Sequence, residues 1–113
     1  MLDAPRLTVR DVDFFERHVP LRLPFRFGVA TLTEARQVFV RVRIALADGG
    51  EGEGQTAELL APKWFDKDPN LTNEENFDQL RTALAIARGL YLSADSPAPA
   101  FALHAGREAE QYA

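Results

Sequence analysis

Apolar and polar side chains alternate most regularly over residues 37–47. Val38, Val40, Val42, Ile44 and Leu46 fall on one face, with Phe39, Arg41, Arg43 and Ala45 on the other. A two-residue period with one strongly apolar face predicts a strand in a sheet covered on one side. Upstream, Leu7, Val9, Val12, Phe14, Phe15 and Val19 alternate more loosely, predicting a first strand over 7–19 with a bulge near Asp13 where the alternation slips. Downstream, Asp48-Gly49 is a turn signal because the pair tolerates positive φ. A third strand then follows over 51–60. Three antiparallel strands in sequence make a meander.

The pattern changes after residue 71. Thr72 is a good helix N-cap and Glu75, three residues on, completes a capping box. Phe77, Leu80, Ala83, Leu84, Ala87 and Tyr91 recur at three- and four-residue spacing, predicting a helix over 73–92 with one apolar stripe. Ser96-Pro97 stops it, and Phe101, Leu103 and Ala105 predict a second short helix over 99–112. Strands first and helices second define an α+β class, and 113 residues suit a single domain, 1–113.

Two segments between these elements are unusual. Residues 20–33 read PLRLPFRFGVATLT and residues 61–71 read APKWFDKDPNL. Pro20 and Pro24 argue against a strand interior, and Gly28 permits a sharp bend, so both segments read as irregular. Yet Phe25, Phe27, Leu32, Leu60, Trp64 and Phe65 are costly to leave in water, each worth about 1.5–3 kcal/mol when buried. Either they pack under the domain's own helices, or they close over something else.

Composition removes several classes of function. The formal charge is -4 with both signs mixed along the chain, unlike the basic stripe that nucleic acid requires. There is no cysteine, which excludes disulfides and thiolate metal sites. No apolar run approaches the roughly 18 residues of a membrane helix, and the first ten residues carry no signal-type apolar core; the expectation is a cytoplasmic protein.

Candidate chemistry is sparse. DGGEGEG is no dinucleotide loop, because its glycines lie in a hairpin instead of between a strand and a helix. Glu51 and Glu53 share one strand face and Glu58 takes the other, so the three carboxylates do not converge on a metal. His18 and His104 have no accompanying nucleophile or acid. Lys63 and Lys67 flank Trp64 and Phe65, where either an anion site or lysine stems lying on aromatic surface would account for them. No residue is assigned a catalytic or metal-ligating role.

The order PLRLPFRFG, then QVFVRVRIALADGGEGEG, then a helical segment resembles the N-terminal domain of the enolase superfamily, closest to the mandelate racemase and muconate lactonizing enzyme group. The resemblance covers roughly residues 7–92. It implies a three-stranded meander plus helices that caps the C-terminal end of a TIM barrel. It further implies that the segment around Pro24 to Leu32 is a lid and that Leu60 to Phe65 is a second capping segment. Phe25, Phe27, Thr31, Leu32, Leu60 and Trp64 would then shape a pocket for a small carboxylate substrate. In such enzymes the barrel supplies the acid–base residues and the carboxylates that hold Mg²⁺, which stabilises an enediolate. A barrel takes about 200 residues or more, so this chain is expected to be inactive alone. Racemisation, cycloisomerisation and dehydration all stay open. One departure is Gln55, where the family commonly has a Glu closing the Gly-rich turn; the amide keeps hydrogen bonding but loses the charge. The alternative expectation is a non-enzymatic module whose apolar segments form a homodimer or bind a partner.

Overall fold

The computed structural model describes residues 4–28 and 30–108. Three strands, β1 (Arg6–Phe27), β2 (Ala30–Leu46) and β3 (Glu51–Leu60), are followed by α1 (Asn73–Leu92), a short β4 (Ala98–Pro99) and α2 (Ala100–Ala105). The sheet is antiparallel throughout, in the order β3-β2-β1-β4. The architecture is therefore mixed α+β built on a meander, with one strand more than the alternation predicts. β4 escapes the pattern because two residues, paired with Arg6 and Leu7, carry no period.

The expected irregular segment at 20–33 is the main correction. β1 does not end at 19, nor does β2 begin at 37; the two continue as a ribbon that turns at Gly28, whose φ is 55°. The prolines are accommodated in two ways. β1 pairs with β4 only at Arg6 and Leu7, so its outer edge beyond them is vacant and Pro20 lies on an edge strand, where proline is tolerated. Pro24 falls inside the register shift between Pro20 and Phe25, where the ladder is already interrupted. The earlier bulge lies between Val9 and Asp11 instead of at Asp13.

The register explains which face is covered. Val9, Val12 and Phe14 lie opposite Ile44, Val42 and Val40, and α1 and α2 pack on this side. Val9, Val12, Ala94 and Leu103 form one buried cluster, and Val38, Leu60 and Phe77 form another. The opposite face pairs Asp13 with Arg41 at 2.9 Å and Asp11 with Arg43 at 3.6 Å. There Arg41 stacks over Phe15 and Arg17 over Phe39. Guanidinium groups over the rings let that face stand in water.

α1 forms where its local signals place it. The Thr72 hydroxyl accepts from Glu75 N, and the Glu75 carboxylate accepts from Thr72 N at 2.8 Å. Glu74 and Glu75 in the first turn favour the positive helix end. α2 is shorter than the expected 99–112: it ends at Ala105, with Gly106 as its C-cap, and residues 109–113 lie outside the described residues. Among the described residues no helix is long and apolar enough to cross a membrane.

One ion pair ties α1 to the sheet. The Arg81 Nε and Nη2 atoms donate to the two Glu16 carboxylate oxygens at 2.8 and 2.9 Å, while Nη1 donates to Glu74 and Asp78. The bidentate fork fixes geometry as well as energy. The Arg81 hydrogen bond holds the Glu16 carboxyl below its ordinary value of 4.5, and burial opposes it only partly. A carboxyl whose folded pKa is depressed adds stability above the unfolded value and loses it as pH falls through the folded one. Thermal denaturation across pH 2–7 should therefore show an acid-side loss of stability that Glu16→Gln diminishes. At neutral pH the same substitution should cost about 1.5 kcal/mol. An unchanged acid limb in Glu16→Gln would assign that loss to other carboxylates.

Candidate capping pocket

Two segments far apart in sequence meet at one end of the molecule, which is 49 Å long. The tip of the β1–β2 ribbon delivers Phe25, Phe27, Thr31 and Leu32; the connection from β3 to α1 delivers Trp64. The Phe27 and Trp64 rings meet edge to face with centroids 5.3 Å apart, and Phe25 lies 5.6 Å from Phe27 in a tilted contact. Edge-to-face packing sets the positive rim of one ring against the negative face of the other, worth about 0.5–1.5 kcal/mol beyond burial. A hollow of about 690 Å³ lies between the segments, lined by Phe27, Thr31, Leu32, Pro62, Trp64 and Lys67 among others. Its size falls in the range of ordinary small-molecule pockets, about 300–1,000 Å³.

The six residues singled out from the sequence divide into three situations. Phe27, Thr31, Leu32 and Trp64 line the hollow together. Phe25 stands beside it, opposite Leu32 in the ribbon and 56% exposed. Leu60 is not on the wall: it is 5% exposed and packs with Val38 and Phe77 in the core. At the end of β3 it falls on the α1 side of the sheet, opposite Arg36. Leu32 is as deeply buried as Leu60, so it anchors the floor while the rings form the rim.

The 61–72 connection is held by interactions that periodicity does not reveal. Lys63 adopts a positive φ of 64°, a left-handed conformation uncommon for a side-chain-bearing residue. Its ammonium donates to the carbonyls of Asp68 and Leu71, closing the segment on itself. Pro62 is fully buried beside it. Lys63 is thus committed to holding the backbone that presents Trp64, and of the two lysines considered for an anion site only Lys67 faces the hollow without a hydrogen-bond or ion-pair partner among the described residues.

A second connection runs from the loop to α1. Gln79 donates to the Asp66 carboxylate at 2.8 Å and accepts from the Asn76 side-chain nitrogen at 2.9 Å. Asp66 only accepts, so the direction of the whole chain is set: Asn76 Oδ1 is left as a buried acceptor with no partner among the described residues. The Gln79 hydrogen bond, helped by Asp68 N–H and the nearby Lys63, holds the Asp66 carboxyl below its ordinary range. Neither Asn76 nor Gln79 stands out in the sequence; their i, i+3 spacing next to the capping box was the available signal.

The residues considered for other chemistry stay apart. His18 bonds Glu34 at 2.9 Å across the ribbon, and His104 meets the Tyr91 hydroxyl at 3.0 Å. Among the described residues no group of three or more His, Asp or Glu side chains is placed to hold a metal ion. Gln55 faces Arg41 across the sheet and its amide donates to Glu53, away from the hollow.

No family model, curated protein or solved structure matches the chain.

Trp64 is the only tryptophan, so its fluorescence reports this pocket alone. Phe27→Ala should red-shift the emission by exposing the indole edge, with a stability cost above the about 0.5–1.5 kcal/mol of an aromatic pair, because the ring's burial is lost as well. Lys63→Met should accelerate amide exchange in 61–72 while leaving α1 protected. Unchanged emission in Phe27→Ala would mean the two segments do not meet in solution.

Proposed function

We propose that this chain is a substrate-capping, specificity-determining domain of the enolase-superfamily type, acting with a catalytic barrel that it does not itself supply. The single observation that carries the reading is the meeting of the ribbon tip and the 61–72 connection, Phe27 against Trp64, around a hollow of small-molecule size. A lid must present apolar surface at an end of the fold and hold it on a rigid base. The ribbon and the Lys63-closed connection provide that surface, and α1 with its ion pair to β1 provides the base.

In this reading the chain's own residues bind, orient and exclude water. Phe27 and Trp64 press on the apolar part of a small carboxylate substrate, Thr31 offers a hydroxyl, and Phe25 extends the rim. Leu32 sets the floor from beneath. Mg²⁺ would be held by the barrel, where it would supply Lewis-acid stabilisation of negative charge; among the described residues of this chain no group of three or more His, Asp or Glu side chains is placed to hold it. Excluding water strengthens every electrostatic interaction at the reacting centre. The reading concerns selectivity, and the proton transfer lies with the barrel.

A second reading is favoured by Leu23, Phe65 and Phe25, which are 79%, 78% and 56% exposed at the same end. Apolar residues gathered there also suit contact with another protein or a second copy.

Two measurements separate these readings. With the barrel present, Trp64→Ala should change the ratio of kcat/KM between substrates at least about tenfold, roughly 1.4 kcal/mol, while Mg²⁺ affinity stays unchanged; equal loss of both would remove the capping role. Sedimentation of this chain with hydrogen exchange is the second. A monomer whose 21–33 and 61–71 segments gain protection only when the barrel is added supports capping, and a dimer that protects them by itself supports the interaction module.

A further inference from the structure

The covered face of the sheet has a flaw at the end opposite the capping pocket. On α1 the positions that face the sheet run through Phe77, Leu80, Leu84, Ala87 and Tyr91. At Ala87 this seam presents only a methyl group, above a part of the sheet built from Val42, Ile44 and Val12. On the neighbouring strand the partners of Ile44 and Val42 are Gly52 and Gly54, which have no side chain to lean in, and a Cβ at Gly54 would meet nothing within 4 Å. Between helix and sheet lies a hollow of about 350 Å³, with Leu103 of α2 among its lining residues.

Protein interiors are close-packed, and voids much larger than a water molecule are few. An enclosed apolar cavity of about 150 Å³ takes up a benzene ring; this hollow is larger and opens to solvent. Water gains little from entering, because the wall offers almost no hydrogen-bonding partners. The Tyr91 hydroxyl is already engaged with His104, which leaves Arg88. It is the one charged residue lining the hollow, it is exposed, and it has no ion-pair or hydrogen-bond partner among the described residues. An apolar slot with one exposed, unpaired arginine among its lining residues is complementary to a molecule with an apolar chain and one anionic head. The guanidinium binds carboxylates in bidentate fashion.

We propose that the hollow under Ala87 is a binding site for a medium-chain amphiphilic monoanion, its chain lying between α1 and the sheet and its carboxylate on Arg88. The site is separate from the capping pocket. Leu7 and Val9 of its wall begin β1, whereas Phe27 ends it.

The test uses the whole chain with decanoate and decan-1-ol as probes, titrated by calorimetry well below micelle formation. Decanoate should bind saturably at one site per chain, and more tightly than the alcohol. Arg88→Gln, at an exposed position and not expected to disturb folding, should weaken decanoate about tenfold or more and leave the alcohol unchanged. Ala87→Leu should raise the melting temperature by filling the hollow and abolish binding of both probes. Absence of saturable decanoate binding to the unmodified chain overturns the proposal. So does equal weakening of acid and alcohol in Arg88→Gln, or full binding in a folded Ala87→Leu. A dimer that dissociates in Ala87→Leu also overturns it, by showing that a second copy fills the space. Trp64→Ala serves as the control for the capping reading and should leave decanoate binding intact, so either idea can fail without the other.

Discussion

The long antiparallel pairing of β1 with β2 is the constraint on which everything else rests. It joins the first strand to the second from Leu7 opposite Leu46 to Phe27 opposite Ala30, so one ribbon reaches both the helix-covered core and the distal tip. Its register puts Val12, Phe14, Val40 and Val42 under α1, and the same register sends Asp11, Asp13, Arg41 and Arg43 to the solvent face. A slip of one residue would exchange these sets. The charged rows therefore act as a register lock: each ion pair exists only when the apolar face is turned toward the helix.

Much of this was legible in the residues, and the reasons for the gaps are physical. β3 and α1 were readable to within a residue because their determinants are local: a turn with Gly49 at a φ of 102°, and a capping box in which Thr72 and Glu75 satisfy each other. Residues 20–33 were misread because proline was weighed as a breaker. Proline is disruptive only where a backbone N–H is needed, and the need depends on whether a neighbouring strand is present. On the outer edge of β1 beyond Leu7 none is present among the described residues, a fact of tertiary arrangement that no local window contains. β4 was missed for the converse reason: a two-residue pairing leaves no periodic trace.

The candidate site residues show the same division. Apolar side chains in the two proline-containing segments mark Phe25, Phe27, Leu32 and Trp64, the family resemblance adds Thr31, and these gather at one end. Leu60 was grouped with them by closeness in sequence, but strand alternation turns it inward to Phe77. Lys63 was weighed as an anion ligand, and its left-handed backbone and two carbonyl contacts give it a structural post instead. What distinguishes these fates is the direction in which a side chain leaves the backbone, which depends on register and on φ more than on residue type.

The core itself is divided. One cluster centres on Val9, Val12, Ala94 and Leu103, the other on Val38, Leu60 and Phe77, and among the side chains gathered around them Phe14 alone belongs to both. The two ends are therefore joined by the ribbon, by that ring and by α1, which gives Tyr91 and Leu92 to one cluster and Phe77, Leu80 and Leu84 to the other. Opening confined to one end breaks the apolar contacts of one cluster only, so it costs less than unfolding the whole.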